Sequence, residues 1–133
     1  MVLQQKTVLV VDDQKGLHQS LAIMTTRSFP VKFIGATTLR EAERLFREHA
    51  LTLDAILLDG CVERRGECDT LPLIDIFKGS RFRGPIIAIS SCRGIRRSMV
   101  AYGATMACEK HEIRTFLEDR LFLPEPRKLV ARR

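Results

Sequence analysis

Five times along the chain a short run of apolar, often β-branched residues is followed by a stretch in which apolar positions recur three or four residues apart. The runs fall at 7–11, 32–36, 55–58, 85–89 and 106–108. Val8-Leu9-Val10-Val11 and Ala55-Ile56-Leu57-Leu58 are apolar without a break, as expected of strands covered on both faces in a parallel sheet. The intervening stretches predict helices over 15–28, 39–49, 71–78, 94–102 and 112–121. Leu17, Leu21 and Met24 share one face of the first, at offsets of four and three. Thr38-Leu39-Arg40-Glu41 has the form of a capping box opening the second, which turns Leu39, Ala42, Leu45 and Phe46 inward. Pro30 breaks the chain after the first helix, Gly103 supplies a C-terminal cap for the fourth, and Pro124 and Pro126 end regular structure. Strand and helix in strict alternation predict a doubly wound α/β domain. The simplest closure is a five-stranded parallel sheet in the order 2-1-3-4-5 with five helices. At 133 residues the chain has room for one such unit, over 1–121, with a tail at 122–133.

What terminates the strands carries the chemistry. The first ends in Asp12-Asp13, the third in Asp59, the fourth in Ser90 and the fifth in Glu109-Lys110. In a parallel sheet these ends gather along one edge, and ligands bind there, in the crevice where strand order reverses between the first and third strands. Three carboxylates brought together repel one another and call for a counter-charge. Hard oxygen donors without imidazole or thiolate favour magnesium. Asp13 would hold the ion directly, Asp12 directly or through water, with Asp59 and the carbonyl oxygen of Cys61 completing the protein's share. Asp59 could then act as a nucleophile that forms an aspartyl-phosphate, with Ser90 donating a hydrogen bond and Lys110 an ion pair to the transferring group. Each residue alone has a plainer reading, since aspartates and serines often cap turns and helices and a lysine is often a surface charge. Their appearance one per strand end, in order, is the signal.

Composition narrows the class. Hydrophobic residues make up 45% and charged residues 29%, ordinary for a globular domain. No apolar run approaches the ~20 residues of a membrane span, and the start lacks the apolar block of a secretory signal, so a cytoplasmic location is expected. The four cysteines, Cys61, Cys68, Cys92 and Cys108, form no CxxC pair and are expected as free thiols. The formal charge of +6 is densest at 127–133, a solvated tail or a strip for an acidic partner. No aromatic residues interleave with the basic ones, so no direct nucleic-acid binding is expected. No Gly-rich turn follows the first strand, and Asp12-Asp13 sits where a nucleotide or flavin phosphate would have to bind. The connection at 60–70 is longer than such loops usually are, which marks it as functional or mobile.

Over 6–121 these residues resemble the receiver domain of bacterial response regulators, a flavodoxin-like fold. The likeness rests on Val8-Leu9-Val10-Val11-Asp12-Asp13, Leu57-Leu58-Asp59, Pro85-Ile86-Ile87-Ala88-Ile89-Ser90, Tyr102-Gly103-Ala104 and Glu109-Lys110. It implies a stand-alone signalling domain that catalyses only its own phosphorylation and dephosphorylation. Asp59 would receive the phosphoryl group from a histidine kinase or phosphotransfer protein with Mg2+. The change would pass to a downstream target protein through the surface around the fourth and fifth helices and fifth strand. Three places depart from the family pattern. His111 follows the lysine in place of proline, Ala107 replaces an aromatic that changes rotamer on phosphorylation, and Glu63-Arg64-Arg65-Gly66-Glu67 replaces a Met-Pro and short glycine turn. Cys61 and Cys92 stand where the family tunes hydrolysis of the phosphoryl group, and imply an ordinary lifetime. Loss of the aromatic leaves open an alternative, a docking module that works without phosphorylation.

Overall fold

The computed structural model describes residues 3–122, so most of the basic tail expected at 122–133 lies outside the described residues. The strands are β1 (Lys6–Val11), β2 (Val31–Ala36), β3 (Ala55–Leu58), β4 (Ile86–Ala88) and β5 (Met106–Ala107). They form one five-stranded sheet in the order β2-β1-β3-β4-β5, every neighbouring pair parallel. The expected doubly wound topology is the observed one. The helices between them are α1 (Lys15–Met24), α2 (Leu39–His49), α3 (Leu71–Lys78), α4 (Arg93–Tyr102) and α5 (Ile113–Leu117). A single 3-10 turn, Lys110–Glu112, leads into α5, and a π-helical turn, Glu118–Phe122, follows it.

Alternation along β1 explains the layers. Leu9 and Val11 point to one face, where Phe46 of α2, Ile74 and Phe77 of α3 and Met99 of α4 cover them. Val8 and Val10 point to the other, against Leu21 of α1 and Ile113 and Leu117 of α5. Both faces are therefore dry, which is why the central strands read as unbroken apolar runs. Each fully buried leucine, isoleucine or phenylalanine contributes about 1.5–3 kcal/mol relative to exposure, so the two half-cores together anchor every strand end. Phe46 packs its ring 4.6 Å from Phe77 and 6.0 Å from Phe82, closing the α2–α3 side. On the other face Phe122 packs its ring 6.1 Å from Phe29.

Two helices differ from expectation by more than one residue. α1 ends at Met24 instead of reaching Ser28, because the Thr25 and Thr26 hydroxyls bond Val31 and Phe29 beyond the helix and the backbone of Thr26 turns to pair with Phe29. Thr25 Oγ1 donates to the Val31 carbonyl at 2.6 Å, while the amides and carbonyls of Thr26 and Phe29 bond each other at 3.1 Å. α5 is shorter than the predicted 112–121, tightened at its start and widened at its end. By contrast α2 has the predicted limits. Its cap is present, with Glu41 N–H donating to Thr38 Oγ1 at 3.1 Å, and the Glu41 carboxylate accepts from Thr37 N–H at 2.9 Å.

Candidate functional site

Because β1 and β3 are adjacent and in register at Val11 and Leu58, their next residues, Asp12 and Asp59, emerge side by side. Both are buried, whereas Asp13 is exposed. Oxygens of Asp12, Asp13 and Asp59 lie within 4.8 Å of one another. Lys110 reaches them from the fifth strand end, its Nζ 2.9 Å from Asp12 Oδ2 and 3.8 Å from Asp59 Oδ2. Asp13, Asp59, Cys61, Ser90 and Lys110 line one cleft of about 470 Å3, with Asp12 beneath it. Every site residue expected from the sequence is thus at the same edge of the sheet.

Each carboxylate is held from behind. Asp12 Oδ1 accepts from Gln14 N–H at 2.8 Å, which turns the chain into α1. Its Oδ2 is buried and paired with the Lys110 ammonium at 2.9 Å. Asp59 Oδ1 accepts from Gly60 N–H at 2.8 Å. Gly60 tolerates no side chain, since a Cβ there would meet Ile95 Cγ2 of α4 at 2.2 Å. Thr70, fully buried at the far end of the long loop, donates its hydroxyl to the Asp59 carbonyl at 2.7 Å and so fixes the acceptor's backbone.

Three carboxylates and one ammonium leave this cluster at −2 when all are ionised. At an effective dielectric near 20, two like charges at about that separation repel by roughly 3 kcal/mol. Burial, reinforced by the charges of Asp12 and Asp13, pushes the Asp59 carboxyl up from 3.8 to about 6, against the opposing pull of Lys110. A hard dication would bring the cluster to neutrality, so the set of carboxylate oxygens fits magnesium.

Ser90 lies at the end of β4, its hydroxyl accepting from Cys92 N–H at 3.2 Å, a turn-forming role that leaves its proton available to the cleft. Lys110 is placed by a device the sequence reading missed. The Glu109 side chain accepts from the Glu112 backbone, and Glu112 Oε1 accepts from Glu109 N–H at 3.3 Å. This reciprocal cap starts the 3-10 turn at Lys110 without a proline, and an E-x-x-E spacing was its only trace. His111 is exposed and turned towards Glu109, with Nε2 3.5 Å from Oε2.

The long loop is likewise tied by a residue not singled out beforehand. Asp69 accepts from the backbone N–H groups of Val62, Glu63 and Arg64 at 2.9, 2.8 and 2.8 Å. Glu63 in turn accepts from Leu39 N–H at 2.8 Å, docking the loop on the start of α2. All four cysteines are free thiols, as expected.

No family model and no curated protein matches the sequence. Solved structures do match the fold. The non-phosphorylated HemR receiver domain from Leptospira biflexa is 22% identical, covers 92% of this chain and 98% of its own, and superposes with a TM-score of 0.70. A signal receiver domain of a two-component histidine kinase from Clostridium thermocellum is 13% identical, with coverages of 90% and 100% and a TM-score of 0.73. The N-terminal domain of an uncharacterized protein from Wolinella succinogenes is 23% identical, with coverages of 98% and 100% and a TM-score of 0.66. The chain therefore has the receiver-domain fold.

Proposed function

We propose that this chain is a phosphoryl-acceptor switch of two-component signalling, with Asp59 as the acceptor. The observation that carries the reading is the net charge of −2 gathered at one sheet edge, where three carboxylates crowd together and Lys110 pairs with two of them. Asp12, Asp13 and Asp59 would hold Mg2+, with the Cys61 carbonyl as a further donor. When bound, the ion supplies the positive charge that lets a phosphoryl group approach three carboxylates.

The protein's own groups would do the rest. Asp59, fixed by Gly60 N–H and Thr70, presents a carboxylate oxygen to the phosphorus of a phosphohistidine on a histidine kinase or phosphotransfer protein. A new P–O bond forms as the P–N bond breaks, and the released imidazole takes its proton from solvent. Lys110 and Ser90 then face the phosphoryl oxygens, the first as an ammonium and the second as a hydroxyl donor. A cytoplasmic location goes with a kinase donor of this kind, and a downstream protein would read the altered surface.

The test is a magnesium titration followed by acetyl phosphate, with intact-protein mass as the readout. One added phosphoryl group that requires the ion and is lost in Asp59→Asn is the expected result. A protein that never gains the group, with or without the ion, would leave Ala107 and the docking-module alternative as the better account.

A further inference from the structure

Arg65 brings a second cation to the acceptor cleft, from the stretch Glu63-Arg64-Arg65-Gly66-Glu67 that departs from the family pattern. It lines the same cleft as Asp13, Asp59, Ser90 and Lys110. Lys110 enters from the end of β5, whereas Arg65 enters from the loop that follows β3. The two differ in what they touch. Lys110 pairs with Asp12 and Asp59. Arg65 is exposed and has no carboxylate within ion-pairing distance among the described residues. Its neighbour Arg64 points elsewhere, lying 3.6 Å from Glu67 and outside the cleft lining.

Backbone bonds hold the loop in place behind this side chain. Glu67 N–H donates to the Arg64 carbonyl at 3.1 Å, closing a turn with Arg65 and Gly66 at its centre. Gly66 has φ of +83°, the left-handed value that the third position of a type II turn requires and that favours glycine. The Asp69 carboxylate grips the backbone of the three residues before Arg65. Glu63 anchors the same segment to the start of α2 through Leu39 N–H. The backbone at Arg65 is therefore set in advance, and a group so placed binds with less ordering left to do.

Charge indicates what the guanidinium serves. Without a phosphoryl group the cluster stands at −2, which one dication neutralises. A phosphoryl group on Asp59 replaces one negative charge by about two, so the site with its ion falls to about −1. Among the described residues, Arg65 is the cation of the cleft lining besides Lys110, and it restores the balance. A planar guanidinium can also pair with two phosphoryl oxygens at once, which an ammonium does not. We propose that Arg65 folds onto the phosphoryl group once that group stands on Asp59, so that the 60–70 loop senses the loaded state directly. The inference rests on the acceptor reading of Asp59.

Calorimetric titration tests this with two ligands of opposite charge, Mg2+ alone and then beryllofluoride at saturating Mg2+. Arg65→Gln should weaken beryllofluoride binding by about tenfold. It should leave Mg2+ affinity undiminished, since loss of a nearby positive charge favours a cation. Arg65→Lys should recover part of the beryllofluoride loss, and Arg64→Gln, which alters a cation outside the cleft, should match the wild type. Beryllofluoride should also slow amide exchange at Arg65 and Gly66 in the wild type but not in Arg65→Gln. Equal beryllofluoride affinity in the wild type and Arg65→Gln would overturn the proposal. So would a joint weakening of both ligands, the mark of a loop that has merely shifted, an equal loss in Arg64→Gln, or wild-type exchange that does not respond. A wild type that takes up no beryllofluoride would overturn the acceptor reading and this proposal with it, whereas uptake that ignores Arg65 removes only the part assigned to the loop.

Discussion

Asp54 and Asp59 stand at the two ends of β3, and the same side chain does opposite things at each. At the amino end Asp54 Oδ2 accepts from Thr7 N–H at 2.8 Å, while Asp54 N–H donates to the Thr7 carbonyl, also at 2.8 Å. This closed pair locks β3 to β1. At the carboxyl end Asp59 has one backbone donor and shares its remaining surroundings with Asp12, Asp13 and Lys110. Asp69 resembles Asp54, with three backbone amides on its two oxygens. A carboxylate satisfied by backbone is a fastener, whereas one crowded by other carboxylates is a place where the fold holds charge for something else.

The sharpest way to break this contrast is to neutralise each aspartate in turn. Asp59→Asn should abolish covalent phosphoryl uptake from acetyl phosphate, read as intact mass, and Lys110→Ala should slow it by about a hundredfold, the usual scale for one electrostatic contact in the transition state. Asp54→Asn should leave the rate within about twofold. A large loss of uptake in Asp54→Asn, with the protein still folded, would erase the distinction between the two ends.

Stability should show the reverse order. Asp54→Ala and Asp69→Ala each strip a carboxylate from backbone amides and should cost about 1–3 kcal/mol by denaturant unfolding. For Asp69 the loss falls on the loop, so amide exchange at Val62, Glu63 and Arg64 should quicken. Asp59→Asn in metal-free buffer near neutral pH should instead stabilise the fold, because it removes a desolvated charge. A destabilised Asp59→Asn under those conditions would contradict the account of the crowded site.

The sequence made the two kinds of aspartate look alike, and the reason is physical. The unbroken apolar runs announced β1 and β3, and strand-end position alone brought Asp12, Asp59, Ser90 and Lys110 together once the strand order was assigned. Asp54 also flanks a strand, but its partner Thr7 is 47 residues away, and nothing in either neighbourhood marks the pairing. Thr70 and Arg96 were hidden similarly. Both reach carbonyls that belong to other elements, which nothing in their own sequence neighbourhoods marks. The early end of α1 was missed for a local reason, since Thr25 and Thr26 continue a helical pattern of polarity while their hydroxyls bond the chain outside it.

The smallest expected effect is also the most diagnostic, because it isolates the charge on Asp59. A carboxyl whose ordinary value is 3.8 and whose folded value is about 6 keeps its proton in the native state after the unfolded chain has released it. Between those two values the native state binds more protons, so its stability falls as pH rises. The contribution is whole below about 4 and gone above about 6. After allowance for partial solvent screening, the swing is on the order of 2 kcal/mol. Subtracting the pH profile of Asp59→Asn from that of the wild type, both with chelator, cancels the other titrating groups and should leave a single descending step in that window. Saturating Mg2+ should remove the step, since the ion competes with the proton for the same oxygens, and its affinity should weaken by about tenfold for each pH unit below 6. A flat difference profile would mean that Asp59 ionises without hindrance, and the crowding of Asp12, Asp13 and Asp59 would then carry no energetic weight.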